Sequence, residues 1–272
     1  MNRICCLLLA LLTFVWPAIA EPTKIQIATA SWGGYTETNG EGYYFELLRR
    51  VFPESEWQLE IQFVPFPRSL YMLEREQVDM VLGLYLGDIS KGIYSAKKVE
   101  TEVIDAAVTP ELASVWQGMD SLTHRRVQAL IAYRFFTLTQ VPMHYQENSS
   151  LLEMLRKVNE GKIDAVLDYK PDILPLLPQL EQPRRLVLIE DVLRADVYFA
   201  FANNPKGLEL KALFDQSFEQ LERSGELAEI KQQSLEQLQL RIQEQPITLE
   251  IQQNRHYGGE LVFQLLPFGF RV

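Results

Sequence analysis

The chain has 272 residues, of which 47% are hydrophobic and 23% charged, and its formal net charge is −10. That much apolar material is enough for a core in one or two domains without help from disulfides or metals. The acidic residues are dispersed rather than blocked and the sequence pI is about 5.0, which leaves no basic stripe for nucleic acid.

At the start, Met1-Asn2-Arg3 supplies a short basic segment, residues 4–15 an uncharged apolar run, and Pro17-Ala18-Ile19-Ala20 small residues just before Glu21. This pattern predicts a secretory signal peptide over residues 1–20 and a periplasmic mature chain. A retained membrane helix would need roughly 20 apolar residues, and this run is shorter and interrupted by Pro17. Both cysteines, Cys5 and Cys6, fall inside the segment. The mature chain is therefore expected to have no disulfide, thiol nucleophile or thiolate ligand.

Residues 24–30 alternate apolar and polar and read as a first strand. A glycine- and aromatic-rich loop follows, from Trp32-Gly33-Gly34-Tyr35 to Gly40-Glu41-Gly42. Residues 44–52 carry apolar side chains at helical spacing and stop at Pro53; residues 59–64 alternate again, ending at Pro65-Phe66-Pro67-Arg68. Strand, helix, strand at this spacing predicts an α/β fold. A weak internal repeat comes next, in which a helical stretch leads into a short buried strand: Val78-Asp79-Met80-Val81-Leu82 and Ile163-Asp164-Ala165-Val166-Leu167. In both copies a leucine (Leu70, Leu155) precedes the aspartate and a tyrosine (Tyr85, Tyr169) follows the strand. The repeat reads either as two lobes built on one plan or as chance similarity of a common unit. Residues 127–131, 187–190 and 196–202 read as further strands, residues 208–233 as a long amphipathic helix broken at Gly225, and residues 247–253 with 259–266 as a terminal β-hairpin.

Four segments carry a family resemblance that spans nearly the whole mature length. They are Gly40-Glu41-Gly42-Tyr43-Tyr44-Phe45-Glu46-Leu47-Leu48, Pro65-Phe66-Pro67-Arg68, Asn159-Glu160-Gly161-Lys162-Ile163-Asp164-Ala165-Val166-Leu167, and the stretch from Phe218 to Ile230. The chain resembles the family 3 extracellular solute-binding proteins of polar amino acid ABC transporters. The resemblance implies the two-lobed periplasmic-binding-protein type II fold, each lobe a mixed sheet flanked by helices. It places lobe 1 at residues 22–108 and 196–272, the hairpin included as an extension from about residue 246, and lobe 2 at 109–195. The ligand would lie between lobes that close on it.

In the family, a lobe 1 arginine clamps the ligand carboxylate; here that place falls on Lys91, which keeps the charge but lacks the bidentate fork. The family's lobe 2 aspartate for the ligand amino group falls on Tyr169, with Asp168 one residue early. Asp168 is then either a cleft group or a surface carboxylate. Arg68, held in a rigid proline-flanked turn, is either a ligand contact or a structural cap. Trp32, Tyr35, Phe66 and Tyr85 come from loops at strand ends, where open α/β sheets bind ligands, and together suggest an aromatic-walled cleft. Tyr133 and Arg134 follow the first lobe 2 strand, and Arg134 is either a substitute carboxylate clamp or an exposed residue at a helix start. Asp79 and Asp164, equivalent in the repeat, are expected to accept backbone N–H bonds rather than to act in a site. His124, His144 and His256 lack metal-ligand spacing, and no cofactor motif is present.

The expected function is that of a monomeric periplasmic protein closing on a small polar ligand (an amino acid, a modified or aromatic amino acid or a short peptide) for an ABC permease. Two alternatives stand beside it: a ligand-sensing module for a membrane partner, and a dehydratase-like enzyme on the same fold. The absence of a nucleophile elbow, metal motif or phosphate loop argues against catalysis.

Overall fold

The computed structural model describes residues 21–182 and 185–244. The expected signal peptide and terminal hairpin lie outside the described residues. Strand β1 (Thr23–Thr29) buries Ile25 and Ile27 completely, as its alternation requires. Helix α1 (Tyr43–Val51) buries Tyr44, Leu47, Leu48 and Val51 on one stripe, and its chain stops ahead of Pro53. Gly42, just before it, has φ 117°, and a Cβ there would sit 2.4 Å from the Tyr35 carbonyl oxygen, so only glycine fits. β2 (Trp57–Phe63) pairs parallel with β1. Helix α2 (Phe66–Glu74) has Pro67 in its first turn, where no N–H is needed.

The chain continues through β3 (Met80–Leu84), β4 (Ile93–Tyr94), the long β5 (Glu100–Val108) and the short α3 (Pro110–Ala113). β6 (Arg126–Leu130), β7 (His144–Asn148), α4 (Leu151–Asn159), β8 (Ala165–Asp168) and α5 (Lys170–Ile173) follow. The chain then returns through β9 (Val187–Phe201), α6 (Pro205–Ser224) and α7 (Glu226–Glu244). The two strands expected over 187–190 and 196–202 are one strand. Asp191, at φ 55° within it, forms an irregularity instead of a turn, and its N–H is held by Asp105 Oδ1 at 2.9 Å.

The strand order is β2-β1-β3-β9-β5-β8-β6-β7, with β4 beside β9. It falls into two halves of the same design. β1 lies parallel to β2 and β3, and β3 antiparallel to β9; β6 lies parallel to β7 and β8, and β8 antiparallel to β5. The repeat aspartates tie each half together identically. Asp79 Oδ2 accepts from the Gln26 N–H at 2.8 Å and Asp164 Oδ2 from the Arg126 N–H at 2.7 Å. The structural role expected for both carboxylates is the one they have.

β5 and β9 pair antiparallel from Glu100↔Val197 to Ile104↔Leu193, then, past a register shift, from Ala106↔Ile189 to Val108↔Val187. Val108 also pairs with Ala165 of β8, so the end of β5 is shared between β8 and β9. Aromatic packing seats the C-terminal helices on the first half: Phe214 of α6 lies 5.3 Å from Phe199 and 5.7 Å from Phe201, and stacks on Phe218. Lys231 of α7 reaches Glu100 at 2.7 Å. A second, smaller core under α4 joins Met154, Leu155 and Val158 to Ala107, Val166 and Ile173.

Candidate ligand-binding cleft

Two pairs of parallel strands, β1 with β3 in one half and β6 with β8 in the other, end facing the same space. The loop after each strand delivers an aromatic residue: Trp32, Tyr85, Tyr133 and Tyr169 respectively. These meet across the halves. The Trp32 indole N–H donates to the Tyr133 hydroxyl at 3.3 Å, and the Tyr85 and Tyr169 hydroxyl oxygens are 2.5 Å apart. Phe66, at the start of α2, packs edge-on against Trp32 (centroids 5.5 Å) and Tyr133 (6.3 Å). Tyr169 lies 5.9 Å from Tyr133 and 6.2 Å from Phe135. Such edge contacts bury large area while leaving the polar tips free to bond.

Beneath this layer lies Glu102, on the crossing strand β5. Both tyrosine hydroxyls donate to its Oε2, each at 2.8 Å. Three oxygens in mutual contact need three hydrogens to be fully bonded, and two phenols supply two. If Glu102 carries a proton and donates it to one phenol, that phenol is free to donate to the other, and all three contacts are bonded. Burial accordingly pushes the Glu102 carboxyl up to about 7, against the opposing pull of the two hydroxyls, with Glu100 and Asp172 adding repulsion.

Two more carboxylates accompany it. Asp168, at the end of β8, is 0% exposed; its Oδ1 accepts the Tyr169 N–H at 2.8 Å and its Oδ2 has no partner among the described residues. Burial, then the nearby Asp172, raises its pKa well above the usual carboxylate range. Asp172 is itself pushed up to about 6 by burial. Burial first, then the charges of Asp168, Asp172 and Glu102, push the Tyr133 hydroxyl's pKa up, so all three carboxylates act on it.

Of the residues singled out in the sequence, Trp32, Phe66, Tyr85, Tyr133, Tyr169 and Asp168 come together here. Tyr35 packs 5.1 Å from Tyr44 on the first half's side, within the field of Glu100 and Glu102. Arg134, half-buried with φ 47°, bridges the halves at the rim by donating to the Gly87 carbonyl at 3.1 Å. Lys91 and Arg68 are exposed and do not join the cluster; the Lys91 backbone N–H lies 3.4 Å from Glu74 Oε1. The His124 and His144 rings lie 6.2 Å apart, tilted by 39°, and no metal-ligating group of three forms among the described residues. Sequence reading missed Glu102, Asp172 and Phe135. The available signal for Glu102 was the period-2 run of acids at 100 and 102 in a stretch that is a strand.

No protein-family model matches the sequence, and no curated protein matches it. Solved structures do. An amino acid ABC transporter substrate-binding protein from Streptococcus pneumoniae, bound to L-arginine, is 17% identical with a TM-score of 0.57, covering 79% of this chain and 95% of that one. A histidine kinase sensor domain with similarity to periplasmic binding proteins is 15% identical with a TM-score of 0.62, over 79% and 97% of the two chains. An ancestral amino acid-binding protein, described as a precursor of cyclohexadienyl dehydratase, is 14% identical with a TM-score of 0.58, over 77% and 94%. With its duplicated sheet, two-strand crossing and facing strand ends, the chain has the two-lobed α/β fold of the periplasmic amino acid-binding proteins.

Proposed function

We propose that this chain is a periplasmic solute-binding protein that closes its lobes on a small polar ligand and presents it to a membrane ABC permease. In this reading the β5–β9 ribbon is the hinge, with lobe 1 on the side of β1 and the C-terminal helices and lobe 2 on the side of β6. The observation that carries it is the meeting of Trp32 with Tyr133 and of Tyr85 with Tyr169, equivalent loops of the two lobes, over a hinge carboxylate. Trp32, Tyr35, Phe66, Tyr85, Tyr133, Tyr169 and Asp168 form the ligand's surroundings, and Arg68, Lys91 and Arg134 lie outside them or at the rim.

The test is thermal denaturation of the mature protein against amino acids, peptides, organic acids and amines. A ligand at 100 times its dissociation constant stabilises the fold by about 2.7 kcal/mol. That gain should disappear in Trp32→Ala while the unliganded variant stays folded. No stabilisation by any compound would remove the reading and favour a sensor module that needs its membrane partner. Catalysis is a second reading, favoured by Glu102: a half-buried carboxyl pushed up to about 7 has the property of a general acid. Recovery of the bound ligand chemically unchanged would exclude it.

A further inference from the structure

We infer that the cleft selects organic cations, amines or guanidines without a free carboxylate, with Asp168 and Glu102 as their anionic partners and the four strand-end aromatics as their walls. The inference deepens the solute-binding reading and rests on it.

The chain treats its carboxylates in two ways. Where an aspartate is structural, the sequence supplies a cation: Asp79 is paired with Lys206 at 2.6 Å and Asp164 with Arg126 at 3.0 Å. In the cleft it supplies none. Glu102, Asp168 and Asp172 feel burial, hydroxyls, a backbone N–H and neighbouring carboxylates, and among the described residues none of the three forms an ion pair with a lysine or arginine. An uncompensated buried carboxylate is costly, and proteins retain one where something charged completes it.

The second observation is the Asp168 side chain. It is fully buried, one oxygen has no hydrogen-bond partner among the described residues, and its charge acts on Tyr133 in the aromatic layer. An ammonium or guanidinium group carries several N–H donors and no acceptor, so it can satisfy that oxygen and take over, as a charge, the compensation that a proton otherwise gives Glu102. The aromatic faces add attraction for the same charge.

A ligand carboxylate, by contrast, would enter a field of three acids. The basic side chains that could clamp it are placed elsewhere: Arg134 is engaged with Gly87 at the rim, and Arg68 and Lys91 are exposed outside the cluster. The same geometry thus favours the cation and repels its carboxylated relative.

Matched pairs test this directly: agmatine against arginine, putrescine against ornithine, tyramine against tyrosine, by isothermal titration calorimetry on the mature protein. The amine of at least one pair should bind about tenfold or more tightly than its amino acid. Asp168→Asn and Glu102→Gln, both isosteric, should each lose about tenfold in amine affinity. Should those variants fail to fold, titration of the unmodified protein in phosphate and in Tris at pH 7 gives an independent readout, since a bound cation should expel protons. Amino acids binding as well as or better than their amines, undiminished amine binding in Asp168→Asn, or amine binding without proton release would overturn the inference and leave solute binding intact. Failure of every amine, amino acid, peptide and organic acid to bind the folded protein would overturn both.

Discussion

Glu102 sets the pH response of this protein at the level of a single side chain. The groups facing it are Tyr85 after β3, Tyr169 after β8, Asp172 on α5, Glu100 on its own strand, and Tyr35, Tyr44 and Tyr133 around them. Its carboxyl shifts up from an ordinary value of 4.5 to about 7. The folded state therefore holds a proton that the unfolded chain has released. Its contribution to stability is complete below the ordinary carboxylate range and is lost as pH rises through 7. Asp88 and Asp172, both pushed up to about 6 by burial, act in the same direction. Glu102→Gln, neutral at every pH, should flatten the decline in melting temperature of the unliganded protein between pH 5 and 8. An unchanged slope would mean that the carboxyl is already ionised at pH 5. None of this was legible in the sequence, because the hydroxyls that define the environment of Glu102 lie 17 and 67 residues away along the chain.

Single elements were easier to read where local chemistry decides them. β1, α1 and β2 follow from alternation, helical spacing and Pro53, and Trp32, Phe66 and Tyr85 meet because loops after parallel strands converge at one end of a sheet. The sequence reads as two strands over 187–190 and 196–202 where the structure has one, Val187–Phe201, with Asp191 at positive φ inside it. That positive φ is supported from β5, through Asp105, which also anchors the start of α5 by accepting the Lys170 N–H at 2.8 Å. At the loop that carries Trp32 and Tyr35, Gly42→Ala should cost about 1–3 kcal/mol, since the added methyl meets the Tyr35 carbonyl. It should also weaken ligand binding by moving that loop. Chemical denaturation and calorimetry on the same variant measure the two effects separately.

For the whole molecule, the halves meet through aromatic packing and through the hydroxyls of Tyr85, Tyr133 and Tyr169, and in the solute-binding reading the balance between open and closed forms rests on these contacts. Removing both phenols that meet at Glu102, in a Tyr85→Phe/Tyr169→Phe variant, should raise the radius of gyration of the unliganded protein in small-angle scattering. Ligand should then restore the smaller value. A radius unchanged by the double substitution would show that the Trp32–Tyr133 contact and the Arg134 bridge suffice to hold the lobes together.

The pairing of β5 with β9 has a consequence for how such a chain can be assembled. The segment from Ile104 to Leu193 leaves the first sheet and returns to it on neighbouring strands, with its two ends opposite each other in the ladder. It contains β6, β7 and β8, the aspartate that ties them, and a core of its own under α4. Topologically it is a cassette: a gene fragment for this lobe could be cut out, or exchanged for another, with both joints falling side by side. The remaining chain would need only a tight turn to close. An exchanged segment would have to supply its share of the core that joins the halves, the part now given by Val127, Phe135 and Leu167.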